Sequence, residues 1–141
     1  MIHSDYLETL FNRDAFSAAI RHAMDDLSGV SFDAIAVSGN SGTIFGGALA
    51  VAMNKHLFLV RKPGVDSHGF RRVEGNDQAT TYVFVDDCIA SGATRDMVKA
   101  HMSASFPQVA YCGTYTYRSD CPRRGFSVPS QEGKSPAGNL V

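Results

Sequence analysis

Asp86 and Asp87 close an apolar run and open a turn of small residues, in the string Val83-Phe84-Val85-Asp86-Asp87-Cys88-Ile89-Ala90-Ser91-Gly92-Ala93-Thr94. The pattern is a hydrophobic strand, two carboxylates, a glycine turn and the start of a helix. Backbone N–H groups of Ala90, Ser91, Gly92, Ala93 and Thr94 face outward at such a helix N-terminus, where the unpaired donors and the helix dipole suit a phosphate. Ser91 and Thr94 add hydroxyl donors. The carboxylates are unfit to bind that phosphate but well suited to accept hydrogen bonds from sugar hydroxyls beside it, or to hold Mg²⁺ through water. One strand end could thus grip a phosphorylated ribose. An acidic pair after a strand can also simply cap the following turn; the full string through Thr94 favours the binding reading. It is not a GxxxxGK[ST] phosphate loop, and no GxGxxG occurs.

Two further stretches place polar, glycine-containing sequence directly after a strand-like run, residues 38–42 and 61–69. The chain around them resembles a known family. The run VFVDDCIASGAT is similar to the signature of the type I phosphoribosyltransferases, with Ser91 where Thr is commoner. SGNSGTIFGGALA, followed by LFLVRKPG, resembles the pyrophosphate loop, apolar helix and Arg-Lys-Pro-Gly turn of adenine phosphoribosyltransferases, and Asp66-Ser67-His68-Gly69 resembles the Asp-His-Gly of the orotate enzymes. The resemblance spans about residues 33–105.

What the resemblance implies is displacement of pyrophosphate from C1 of phosphoribosyl pyrophosphate by a nitrogen of a purine or pyrimidine base. Asp86 and Asp87 would fix the ribose hydroxyls, and residues 90–94 the 5-phosphate. Backbone N–H groups of Gly39, Asn40, Ser41 and Gly42 would meet the pyrophosphate, with Arg61, Lys62 and His68 as further donors and Mg²⁺ bridging substrate oxygens. Family members commonly dimerise, so a homodimer is also implied. Val65 stands where both relatives carry a lysine, and Ser41 where adenine enzymes usually place Arg. These departures keep open a second reading, a regulatory module that binds phosphoribosyl pyrophosphate or a nucleotide and catalyses little. Tyr115 and Tyr117, at the end of the last strand, are candidates for stacking on the base.

The elements that must position these residues follow from periodicity. Asp5 to Asn12 and Asp14 to Leu27 read as amphipathic helices, the second with Phe16, Ile20, Ala23 and Leu27 at helical spacing. Phe32–Val37, Leu57–Val60, Thr81–Val85 and Gln108–Tyr117 read as strands, and Ile44–Met53 and about Thr94–Ser103 as helices. After the Arg61-Lys62-Pro63-Gly64 turn, residues 65–80 show no clear period and read as a lid or binding loop. The Pro, Gly and Ser of residues 118–141 predict an irregular tail. Short apolar runs alternating with helices imply an α/β fold, a small doubly wound parallel sheet flanked by helices, as one domain over 1–141.

Composition agrees. At 141 residues with 44% hydrophobic and 19% charged, the chain is of ordinary single-domain make-up. Thirteen Lys plus Arg against fourteen Asp plus Glu leave a formal charge of -1, which provides no broad basic field for nucleic acid and no polybasic membrane patch. No apolar stretch is long enough to span a bilayer, and the acidic N-terminus is unlike a secretory signal. Three cysteines with no CxxC pair read as free thiols of a reduced, cytoplasmic protein without a disulfide framework. His3, His22, His56 and His101 show no metal-ligand spacing, so no protein-held metal is expected.

Overall fold

The structure, a computed structural model, describes residues 7–62 and 72–132. In chain order the elements are α1 (Glu8–Phe11), α2 (Arg13–Leu27), β1 (Ala34–Val37), α3 (Gly39–Met53), β2 (His56–Val60), β3 (Val73–Glu74), β4 (Thr81–Asp86), α4 (Ala93–Ser105), β5 (Ala110–Thr116), β6 (Gly125–Ser127) and a 3₁₀ turn at Pro129–Gln131. They build one six-stranded sheet in the order β3-β2-β1-β4-β5-β6. The four central strands are parallel, and the short edge strands β3 and β6 are antiparallel to their neighbours.

Alternation along the strands divides the core between the two faces. In β1, Ile35 and Val37 join Val83, Val85, Phe45 and Leu49 on one face, where α2 and α3 pack. Ala34 and Ala36 join Phe58, Phe84, Val98 and Met102 on the other, beneath α4. Helices thus cover both faces, as a doubly wound sheet requires.

Three local outcomes differ from the sequence reading. Helix α3 begins at Gly39, five residues before the expected Ile44, so the glycine-rich cluster 38–42 is Ser38 at the N-cap followed by the first helical turn. Buried Gly46 explains how α3 lies so close to the sheet: a Cβ there would come within 2.2 Å of Val37 Cγ1. Inside the expected loop 65–80, Val73–Glu74 forms an edge strand against Leu59 and Val60. The tail is not irregular throughout, because β6 pairs with Thr114–Thr116. The terminal turn is anchored by Glu132, which accepts a hydrogen bond from Tyr111 and forms ion pairs with Arg95 and Lys99.

Candidate functional site

Strand β1 has β2 on one side and β4 on the other, and the helices that follow β1 and β4 lie on opposite faces. The carboxyl ends of β1 and β4 are therefore a topological switch point, where open α/β sheets form their binding crevices. A cleft of about 310 Å³ sits there, lined by residues 38–41, Lys62 and the continuous segment 86–95. Of the residues singled out from sequence, Gly39, Asn40, Ser41, Lys62, Asp86, Asp87 and all of Ala90–Thr94 line this one cleft.

Hydrophobic β4 carries the acidic pair to the cleft floor. Asp86 is only 8% exposed, and its Oδ1 accepts the Asp87 N–H at 2.8 Å. Burial, reinforced by the charge of Asp87, pushes its carboxyl up from 3.8 to about 7, against the opposing pull of the Asp87 N–H and Lys62. Asp87 is committed differently: Oδ1 accepts the Cys88 N–H at 2.7 Å, and Oδ2 lies 3.4 Å from Arg118 Nη1. The turn after the acids ends at Gly92, whose φ of 88° is a left-handed value that favours glycine. Ser91 Oγ accepts the Ala93 N–H at 3.2 Å, tying the turn to the start of α4.

On the opposite wall the α3 N-terminus supplies Gly39, Asn40 and Ser41. Ser38, buried beneath them, has a hydroxyl without a hydrogen-bond partner among the described residues. Lys62 Nζ lies 3.5 Å from the position a Cβ would take on Gly39, which places the cation beside this loop. Gly42 does not line the cleft; it packs on the end of β4, where a Cβ would sit 3.1 Å from the Val85 carbonyl. Tyr117 donates its hydroxyl to the Ser41 carbonyl at 3.2 Å and supports the loop from behind.

Several expectations are corrected here. Arg61 does not line the cleft; its guanidinium pairs with Glu74 on β3, across the sheet edge. Neither tyrosine offers a ring to a base. Tyr117 is covered by Phe45, with ring centroids 3.9 Å apart, while fully buried Tyr115 donates to Asp26 at 2.8 Å. Cys88 and Cys121 are not free thiols but form a disulfide, 33 residues apart in sequence. Of the three, Cys112 alone is free. His68, with Val65 and the Pro63-Gly64 turn, lies outside the described residues.

Sequence reasoning overlooked Arg95 and, while placing Arg118 at the strand end where a base could sit, did not foresee its contact with Asp87. Arg95 lines the cleft and lies over Gly92, where a Cβ would come within 2.6 Å of its guanidinium. Its position in the first turn of α4, three residues after the glycine, was a usable signal. Arg118 gave none, because its contact with Asp87 depends on β4 and β5 being neighbours.

Among the described residues no group of three or more His, Cys, Asp or Glu could hold a metal ion, and no described helix is long and apolar enough to cross a membrane. No protein-family model matches the chain. It is 31% identical over 114 residues to the adenine phosphoribosyltransferase of Thermosipho africanus, covering 70% of this chain and 67% of that protein. The chain spans about two thirds of the length of the curated relatives it matches. Adenine phosphoribosyltransferase from Thermoanaerobacter pseudethanolicus shares the fold, with a TM-score of 0.63 and 24% identity over 82% of this chain and 75% of that one. So does the orotate phosphoribosyltransferase of Mycobacterium tuberculosis in complex with phosphoribosyl pyrophosphate, with a TM-score of 0.58 and 14% identity over 81% and 65% of the two chains. With the relatedness to the Thermosipho enzyme and the shared fold, the chain belongs to the type I phosphoribosyltransferase family.

Proposed function

We propose that the protein transfers ribose 5-phosphate from phosphoribosyl pyrophosphate to a nitrogen of a purine or pyrimidine base, releasing pyrophosphate. One observation carries this reading: the glycine loop 38–41 and the acid-to-glycine turn 86–94 line the same cleft. Its two walls offer what the two ends of that substrate need.

Transfer at C1 develops positive charge on the sugar and negative charge on the departing diphosphate. The site must hold the ribose rigidly and stabilise the leaving group. In the proposed mechanism Asp86 and Asp87 accept the ribose hydroxyls, and donation from those hydroxyls favours the ionised form of Asp86. Backbone amides of residues 90–94, with the Ser91 and Thr94 hydroxyls, take the 5-phosphate at the head of α4. The amides of 39–41 and the Lys62 ammonium take the diphosphate. Asp86 and Asp87 fit a Mg²⁺ ion carried by the substrate: they would hold it through its water shell, and it would supply neutralisation of diphosphate charge.

The test is pyrophosphate release from phosphoribosyl pyrophosphate and Mg²⁺ across a panel of purine and pyrimidine bases. Turnover with one base or a few is expected. Ser41, which lines the cleft without adding a cation to the diphosphate wall, favours the second reading, a binding module. Tight binding with no pyrophosphate released for any base would overturn the transferase reading in favour of that module.

A further inference from the structure

The Cys88–Cys121 disulfide joins two segments that meet only because β4 and β5 are neighbours. Cys88 is the first residue past the acidic pair and lines the cleft. Cys121 lies in the connection from β5 to β6, which has its own supports. The Cys121 N–H donates to the Arg118 carbonyl and the Arg124 N–H to the Cys121 carbonyl, while the Arg118 N–H donates to the Asp87 carbonyl.

The loop on the other side of the bridge is poorly held. Between Cys88, whose N–H donates to Asp87, and Ser91, which accepts the Ala93 N–H, no hydrogen bond among the described residues involves Ile89 or Ala90. Ile89 makes a partly buried apolar contact with the core. The disulfide is therefore the strongest attachment of a loop that lines the cleft. A backbone residue costs about 1–2 kcal/mol of entropy to order, so a ligand that relies on the loop's amides binds more weakly wherever they are not already ordered.

We infer that Cys88 and Cys121 form a reversible thiol–disulfide modification site that controls the order, and hence the ligand affinity, of the anion-binding loop 88–92. The co-reactant is a small-molecule thiol and its disulfide. A thiolate attacks one sulfur of the bridge, forms a mixed disulfide with that cysteine and releases the other as a thiolate, which takes a proton. A second external thiolate attacks the external sulfur of the mixed disulfide, forming the external disulfide and releasing the cysteine as a thiolate, which takes a proton. Two external thiols are thereby oxidised to one external disulfide while both cysteines are reduced, and the reverse sequence restores the bridge. The half-buried Cys88 faces the cleft side, whereas Cys121 is 6% exposed.

This inference rests on the proposed substrate for its affinity readout only. The test uses the full chain with Cys112→Ser as background, equilibrated with oxidised or reduced glutathione, and with Cys88→Ser and Cys121→Ser both added in a second protein. Calorimetric titration with phosphoribosyl pyrophosphate and Mg²⁺ should show binding about tenfold weaker after reduction, with recovery on reoxidation. The second protein, with no thiol left to exchange, should stay at the weaker value under both conditions. Hydrogen exchange needs no ligand: the hydrogen-bonded amides of Cys88 and Ala93 should exchange faster on reduction while those of Val83–Val85 keep their protection, which separates loosening from unfolding. Equal affinity in both redox states, or unchanged exchange at Cys88 and Ala93, would overturn the inference. Failure of the oxidised protein to bind phosphoribosyl pyrophosphate would instead count against the proposed function, leaving the exchange data to decide on the bridge.

Discussion

Replacing Asp86 with asparagine should stabilise the fold at neutral pH and weaken the ligand, and both effects come from one buried carboxyl. Burial carries its pKa from 3.8 to about 7. Between those values the folded protein keeps a proton that the unfolded chain has released, so Asp86 makes stability fall as pH rises through this window. Its stabilising share is fully present below about pH 4 and gone above about pH 7. Some three pH units at about 1.4 kcal/mol each set the full loss near 4 kcal/mol, an order-of-magnitude ceiling. Asparagine keeps an oxygen able to accept the Asp87 N–H, which Asp86 accepts at 2.8 Å, and never ionises. Urea unfolding of both proteins from pH 4 to pH 8 isolates the effect, because titrations common to both cancel in the difference. The variant should match the wild type near pH 4 and exceed it increasingly towards pH 8. Titration of the wild type with phosphoribosyl pyrophosphate at pH 6 should release close to one proton. A stability difference that is flat with pH, or one that favours the wild type as pH rises, would refute the reasoning.

Two adjacent glycines of α3, Gly46 and Gly47, should respond oppositely to alanine. At Gly46 the new Cβ would meet Val37 at 2.2 Å, so Gly46→Ala should cost about 1–3 kcal/mol by overpacking; at Gly47 nothing lies within 4 Å, so Gly47→Ala should gain roughly 0.5–1 kcal/mol of helix stability, both read from denaturant midpoints. On the proposed reading, Lys62→Met should weaken phosphoribosyl pyrophosphate binding about ten- to a hundredfold, the usual worth of a charge-assisted contact, and flatten its dependence on salt, as calorimetry at two ionic strengths would show.

What could be read from sequence was local. The acid pair and glycine turn of 86–94 lie within one short string, and the alternating faces of β1 and β4 follow from strand period alone. The start of α3 was hidden because Gly39, Asn40, Ser41 and Gly42 read individually as helix breakers. Close packing of Gly42 on the end of β4 holds them in the first helical turn all the same. Everything misread depended on distant chain meeting across the sheet. Arg61 is drawn to Glu74 by a two-residue edge strand too short to have a period. Tyr117 is claimed by Phe45, 72 positions earlier in the chain. Cys88 and Cys121 have no neighbouring cysteine to suggest a pair, yet their Cα atoms lie 5.5 Å apart, within ordinary disulfide reach.

How a cleft with two carboxylates on its floor can receive a polyanion follows from the state of each acid. Asp86 is held towards its neutral form by burial, so below about pH 7 it presents little charge. Asp87 faces Arg118 at 3.4 Å, which offsets its charge from the far side. Arg95 is itself paired with Asp96 and Glu132, whereas Lys62 has no carboxylate within ion-pair distance among the described residues. Among the described residues, the field a phosphate would meet is therefore set by Lys62 and the two helix N-termini, and the acids do not oppose it strongly. On the proposed reading they act once a pentose arrives. Hydroxyl donors then make ionisation of Asp86 favourable, and the negative charge gained lies beside the carbon where the proposed transfer develops positive charge. On this account the same burial that costs stability at neutral pH keeps the cleft open to anions until a sugar fills it.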